Sequence, residues 1–455
     1  MSESVAVVGG GITGLVAAHR LQRAGYDVTL FEASHRTGGV IQSVREDGFL
    51  AECGPNTIME TSPVIGEVIE ELGIADRRRD SDPAANKKYV IRGGRTIPVP
   101  ESPPAFFTSP LFSVRAKLAL LREPFVPRGT DPDESLASFV RRRLGQEFLD
   151  YAINPFVAGV YAGDPERLSV REAFPKVWAL EESYGSLIRG QIQGARDRKR
   201  RGTASKRNAP KLSFDEGIET LPRALAASLG DRIRLQAPVE RIEKRQGGWE
   251  VGPAKDVFGA VVFALPAFAL AGLSIAGCGT IDLSALGEIR YPPVASVVLG
   301  FRRDQVDHPL DGFGALVPEV EGKKILGTIF STTLFPDRAP DHHVLLTTYI
   351  GGTRAPELAE QGHERLCEIA RLDLHDLFGV SGAPLFSHSF SYPRAIPQYE
   401  VGYGRFREVM SGAESAAPGV FFVGHCRDGI ALGDSIASGA GAAERVHDYF
   451  SAAAS

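Results

Sequence analysis

Three glycines and one acid near the start of the chain have the types and spacing to hold phosphate and ribose. Val5-Ala6-Val7-Val8 is an apolar run that reads as a buried strand. It leads into Gly9-Gly10-Gly11-Ile12-Thr13-Gly14, then an apolar-faced helix, then Asp27-Val28-Thr29-Leu30-Phe31-Glu32. In this Gly-x-Gly-x-x-Gly turn, Gly9 makes the tight bend, Gly11 lets backbone approach a pyrophosphate, and Gly14 lets helix and strand pack closely. The helix N-terminus offers free N–H groups and a positive dipole to the phosphates. Glu32, 18 residues past Gly14, can accept bonds from a ribose. The constellation predicts a bound dinucleotide.

The next residues choose between dinucleotides. Glu32-Ala33-Ser34-His35-Arg36-Thr37-Gly38-Gly39 carries the second strand into a basic residue and a glycine pair, a second phosphate-facing turn. That suits FAD lying extended across a domain better than NAD in a simple dehydrogenase. No second fingerprint for NADPH is offered, because Gly439-Ala440-Gly441 falls inside a helical pattern without a preceding strand.

The 455 residues suffice for two or three domains. The apolar fraction of 43% and charged fraction of 24% are those of a globular protein. A net charge of −5 argues against nucleic acid as the main partner. The four cysteines (Cys53, Cys278, Cys367, Cys426) are widely spaced and read as reduced thiols, with no metal-ligand spacing anywhere. The chain enters a buried strand almost at once, which predicts a cytoplasmic protein without signal or transit peptide. From Val257 to Ile281 no residue is charged, a length that could span a bilayer, but Pro266 and four glycines favour strand, turn and short helix. The basic run 194–207 reads as a solvated loop or as a weak attraction to anionic lipid.

The predicted fold class is α/β in several domains: a Rossmann-like FAD-binding domain of glutathione-reductase type, a mixed-sheet substrate domain, and a helical insert. The FAD domain is read as residues 1–73, 208–270 and 406–455, with a helix at 219–229, strands at 233–235 and 257–264, a strand over 419–424, and a helix from Ile436. The substrate domain is read as 74–94 and 271–405, with strands at 294–301, 325–330 and 344–350 and a helix at 355–378. Residues 95–207 form the helical insert, of a membrane-associating type.

Five further segments resemble one family. Glu52-Cys-Gly-Pro-Asn-Thr57, Asn154-Pro-Phe-Val-Ala-Gly-Val-Tyr-Ala-Gly-Asp-Pro-Glu-Arg-Leu-Ser169, Leu326-Gly-Thr-Ile-Phe with Leu334-Phe-Pro-Asp-Arg-Ala-Pro, Tyr349-Ile-Gly-Gly, and Gly424-His-Cys-Arg-Asp-Gly-Ile-Ala-Leu-Gly-Asp434 occur in order along the chain. The chain is similar to the protoporphyrinogen and coproporphyrinogen oxidases of the amine oxidase-like flavoproteins. The resemblance implies noncovalent FAD and O₂-dependent, six-electron oxidation of a porphyrinogen in heme biosynthesis, by hydride transfer from a methylene bridge to flavin N5. It places flavin contacts at Gly9–Gly14, Glu32, Ala33, Arg36, Gly38, Gly39, Gly54, Pro55, Asn56, Thr57, Val239, Gly424, Asp428, Ile430, Ala431 and Leu432. Ring-sandwiching positions fall on Leu316, Ile329 and Tyr349, where the family usually has Phe at the last. The propionate-pairing arginine falls on Lys88, which keeps the charge but loses the bidentate fork.

Several points stay open at this level. Lys87 and Lys88 also read as plain surface residues, and Asn56 as a turn former or as an orienting residue. No side chain stands out as a base, and His342-His343 reads as exposed loop. An amine oxidase would use the same fold with Tyr399 and Tyr403 as an aromatic cage, and a carotenoid desaturase or an inactive flavin-binding protein would share it too. A covalent flavin through Cys426 is disfavoured, because that cysteine falls inside the phosphate-binding loop of the resemblance and not beside the ring. The resemblance further implies peripheral membrane contact and handover of the porphyrin to a next heme-pathway enzyme. The oligomeric state and the choice between the two porphyrinogens are not encoded legibly.

Overall fold

The computed structural model describes residues 3–201, 209–252 and 255–454. Its organising element is a five-stranded parallel sheet in the order Ile233–Arg234, Asp27–Phe31, Ser4–Val8, Ala260–Phe263, Val420–Phe422. Both faces are covered, which is why the run Val5–Val8 is apolar. Val5 and Val7 face a core built with the helices Ile12–Arg23 and Leu432–Ala454, while Ala6 and Val8 face a second core around Trp249 and Phe263. The two helices lie so close that a Cβ at Gly439 would stand 2.3 Å from the Thr13 carbonyl oxygen. Gly439 is therefore a packing glycine.

The uncharged stretch from Val257 resolves into short pieces. Asp256–Phe258 closes a small four-stranded sheet, whereas Ala260–Phe263 belongs to the parallel sheet, so the expected single strand 257–264 is two strands in two sheets. Gly259 makes the switch, donating its N–H to the Ser4 carbonyl. The helix Ala267–Leu270 and strand Ser274–Ala276 follow. Among the described residues no helix is long and apolar enough to cross a membrane.

A seven-stranded sheet forms the second layer, ordered Phe386–Tyr392, Val294–Arg302, His343–Gly351, Ile325–Phe330, Gly314–Leu316, Tyr89–Arg92, Arg95–Pro98. The hairpin Tyr89–Pro98 belongs to it entirely, so the line drawn between residues 94 and 95 runs through one structural unit. One face, with Ala295, Val297, Leu299 and Phe301, is buried under the helix His363–Phe378. The opposite face remains for the site.

From Pro103 to Arg201 the described structure is helical apart from connections. Arg143 and Glu123 are fully buried there and paired at 3.1 Å, and Glu123 also accepts from Ser186 Oγ and from the N–H groups of Leu187 and Ile188. That carboxylate caps the helix Leu187–Arg201. The helix runs through residues 194–201, so the basic segment 194–207 is not a loop in its first half; residues 202–207 lie outside the described residues. Arg, Lys and Gln are good helix formers. The final helix likewise starts at Leu432, four residues before the expected Ile436.

Candidate active site

The glycine turn has the geometry of an anion cradle. Gly9 adopts φ +108°, and a Cβ on Gly14 would sit 1.9 Å from the Gly9 carbonyl oxygen, so neither position tolerates a side chain. A Cβ on Gly11, by contrast, meets nothing within 4 Å. Gly11 is the N-cap of the helix Ile12–Arg23 and no side chain caps that end. Open space in front of uncapped N–H groups fits a phosphate. Glu32 accepts from the Gly10 N–H at 2.6 Å and from the Ser34 N–H at 2.8 Å, which fixes the acid at the end of its strand beside Ala33. The Ala237 N–H donates to the Glu32 carbonyl, bringing the Ala237–Val239 segment to the same edge.

The second glycine turn folds over the first. The Gly38 N–H donates to the Gly10 carbonyl, and a Cβ on Gly39 would lie 3.4 Å from Gly11 Cα. Arg36 braces this turn from within, donating to the carbonyls of Thr37, Ile41 and Gly39. Val40 then meets Gly54, where a Cβ would be 2.5 Å from the Val40 carbonyl oxygen. Two residues on, Asn56 Nδ2 donates to Gly54 O at 3.2 Å and to the Tyr349 hydroxyl at 2.5 Å. Thr57 follows, leading into the strand Ile58–Met59. A continuous run therefore leads from the open cradle at Gly11, through Gly39, Val40, Gly54 and Asn56, to Tyr349 of the seven-stranded sheet.

Register explains how that sheet presents its side chains. Leu316 is opposite Gly327, and Gly327 is opposite Tyr349, so the three share one face across three strands. Ile329 lies two residues beyond Gly327 and points the same way. Gly327 in the middle leaves room between the larger residues. Leu316 also packs under the insert, since a Cβ on Gly159 of the helix Asn154–Tyr161 would be 2.5 Å from its side chain. The hydroxyl that Tyr349 adds has a use: it accepts the Asn56 amide, and burial raises its pKa so that it stays neutral.

The sequence reading missed a buried acid behind Asn56. Glu52 is 4% exposed and accepts from Ser43 Oγ at 2.6 Å and from the Ile218 N–H at 2.9 Å. It shares a cavity of about 10 Å³, room for roughly one water, with Asn56, Ile329, Ser331 and the buried Arg338. Burial pushes Glu52 up to about 7, against the pull of Arg338 at 3.8 Å. Because the folded state holds this proton more tightly, its contribution is complete below the ordinary carboxylate range and is lost as pH rises to about 7. Glu52→Gln is expected to flatten the pH dependence of thermal stability between about 5 and 7 and to stabilise the protein above that by at most about 3 kcal/mol. Melting curves of parent and variant that stay parallel across this range would rule out a titrating Glu52.

The C-terminal loop closes the cradle from the other side. Gly424 (φ +108°) approaches Thr13, and Asp428 is held by Ser438 Oγ at 2.6 Å and by the Gly424 N–H at 3.3 Å. Ile430 packs on the core, and Ala431 and Leu432 lead into the last helix. Tyr399 and Tyr403 are 2% and 1% exposed and donate to the carbonyls of His425 and Cys426. They support the loop from behind and form no cage at a ligand. Cys426 is 1% exposed, with its thiol pushed up to about 12 by burial, which disfavours it as a covalent anchor. Burial also pushes His425 down to about 4, so its ring is neutral at ordinary pH.

Of the two lysines, Lys87 is engaged, pairing with Asp311 at 2.7 Å over the Tyr89 ring. Lys88 is exposed and makes no ion pair among the described residues.

Comparison with known proteins agrees with this geometry. A family model described as flavin containing amine oxidoreductase matches residues 12–447. The chain is 36% identical to protoporphyrinogen oxidase 2, chloroplastic/mitochondrial, of Arabidopsis thaliana, over 98% of this chain and 94% of the relative. It is 29% identical to coproporphyrinogen III oxidase of Staphylococcus aureus, over 98% and 99% of the two chains. A crystal structure from Exiguobacterium sp. 255-15, provisionally named a protoporphyrinogen oxidase, superposes with TM-score 0.81 at 24% identity, covering 98% of each chain. The cradle, the run of contacts to the substrate sheet and these matches give one conclusion: the chain belongs to the flavin-containing amine oxidoreductase family.

Proposed function

We propose that the protein oxidises a porphyrinogen to the porphyrin, with noncovalent FAD as cofactor and O₂ as acceptor. The observation that carries this reading is the continuous run from Gly11 to Tyr349, which has the extended shape of a dinucleotide whose reactive end meets an apolar sheet face. Relatives named for both protoporphyrinogen and coproporphyrinogen oxidation support it. Bound FAD supplies two-electron acceptance from the substrate and return of those electrons to O₂. The protein's part is positioning. The Gly9–Gly14 turn, Glu32, Ala33, Arg36–Gly39, Val239 and the 424–432 loop hold the dinucleotide. Gly54–Thr57 sets its reactive edge, with Asn56 fixed by Tyr349. Leu316, Ile329 and Tyr349 press on the macrocycle, and Lys88 takes a propionate.

Each porphyrinogen gives up six electrons and six protons, so three O₂ become three H₂O₂. An oxygen electrode with parallel porphyrin fluorescence is expected to read that ratio; amine turnover without porphyrin formation would overturn the reading. The reading also places the protein in the cytoplasm with peripheral membrane contact and handover of the product there. Val114, Leu118, Leu121 and Phe125 are each more than half exposed beside Arg115 and Arg122, which supports it. High salt or carbonate should release the protein from membranes, and retention through both washes would contradict a peripheral mode.

A further inference from the structure

Lys211 is the first residue of the strand Lys211–Phe214, which pairs with Ile58–Met59 immediately beyond Asn56 and Thr57. Its amine donates to Asn86 Oδ1 at 3.0 Å and stands 6.0 Å from the centre of the Phe313 ring. Phe313 and Ile329 both pack against the cluster of Ala85, Leu334 and Phe335, and the Phe313 N–H donates to the Lys87 carbonyl, beside Lys88. Lys211 therefore reaches the rim of the site by a different element from Lys88 and lands within its electrostatic range. Neither lysine makes an ion pair among the described residues. The amine of Lys211 is less basic than usual because of burial and then Lys88, with only Glu101, beyond ion-pair distance, acting the other way. Asn86, which the Lys211 amine holds, is two residues from Lys88, so two cations share one stretch of rim; like charges there repel, and an anion between them offsets that repulsion.

We propose that Lys211 is a second carboxylate-binding residue, which with Lys88 seats two neighbouring propionates of the porphyrinogen, one on each lysine. This rests on the porphyrinogen reading. The seat lies beside Asn86 and Phe313, so it acts on binding and orientation and leaves the reacting carbon to the flavin side.

Lys211→Met is expected to raise KM for coproporphyrinogen III and protoporphyrinogen IX about tenfold with kcat nearly unchanged, as should Lys88→Met. Lys211→Arg keeps the charge and should restore binding, which separates charge from folding. Fluorescence titration of the flavin-loaded protein with coproporphyrin III gives a readout apart from turnover. Lys211→Met should weaken that binding about tenfold, while binding of the uncharged tetramethyl ester stays the same in parent and variant. Loss of ester binding as well, or failure of Lys211→Arg to restore affinity, would mean a structural role and overturn the proposal. If porphyrinogens turn over and Lys88→Met raises KM while Lys211→Met does not, this inference alone is wrong. If no porphyrinogen turns over in the parent protein, the reading beneath it is wrong.

Discussion

Gly11→Val is expected to give a folded protein that has lost its flavin and its colour. A Cβ at this position meets no protein atom within 4 Å, so the substitution costs the apoprotein little. The new side chain enters the space in front of the uncapped helix N-terminus, where the pyrophosphate approaches. FAD affinity should fall at least about 100-fold, the equivalent of roughly 2.7 kcal/mol. Gly14→Val makes the informative contrast, since its Cβ would stand 1.9 Å from the Gly9 carbonyl oxygen and must break the turn itself. Absorbance after gel filtration, together with circular dichroism, separates the outcomes. A yellow Gly11→Val protein would place the dinucleotide elsewhere.

Arg143→Met is expected to destabilise the helical insert by about 3–5 kcal/mol, because it leaves the fully buried Glu123 without its cation. Glu181 loses a partner too: it is held down at about 2 by bonds from Arg142 and Arg143 that outweigh its burial. The insert carries the helix Asn154–Tyr161 that packs on Leu316, so the loss should reach the site as a weaker hold on substrate. Denaturant unfolding reports the size of the effect, and limited proteolysis should cut first between residues 103 and 201. An unchanged unfolding midpoint would mean that the insert is held by its apolar core alone.

The parts of this site that were legible in the sequence are those whose chemistry admits few residue types. Gly9 and Gly14 could be assigned their duties because only glycine survives at φ +108° or against a carbonyl oxygen, and Gly11 because the space before it stays open for a phosphate. The proposed substrate face was legible only through resemblance: Leu316, Ile329 and Tyr349 are brought together by the register of three strands, which no local pattern encodes. The use of the Tyr349 hydroxyl depended on Asn56, 293 residues away. Glu52 stands in the sequence only as the first residue of the segment Glu52–Thr57, and nothing local marks Lys211; burial and neighbours give both their character. Tyr399 and Tyr403 show the opposite case, aromatic spacing that suggested a cage and proved to be loop support. The strand expected at 257–264 failed at Gly259, where the chain leaves one sheet for another without any break in apolar character.

On the proposed function, a porphyrinogen delivers electrons to a flavin held between the Gly11 cradle and the Tyr349 face. The most direct test mixes flavin-loaded protein anaerobically with protoporphyrinogen IX and, separately, with coproporphyrinogen III, while following flavin absorbance. Rapid bleaching by at least one of them is expected, with return of the colour on admitting O₂ and porphyrin fluorescence rising in step. Flavin that stays oxidised with both porphyrinogens but is bleached by an amine would contradict it.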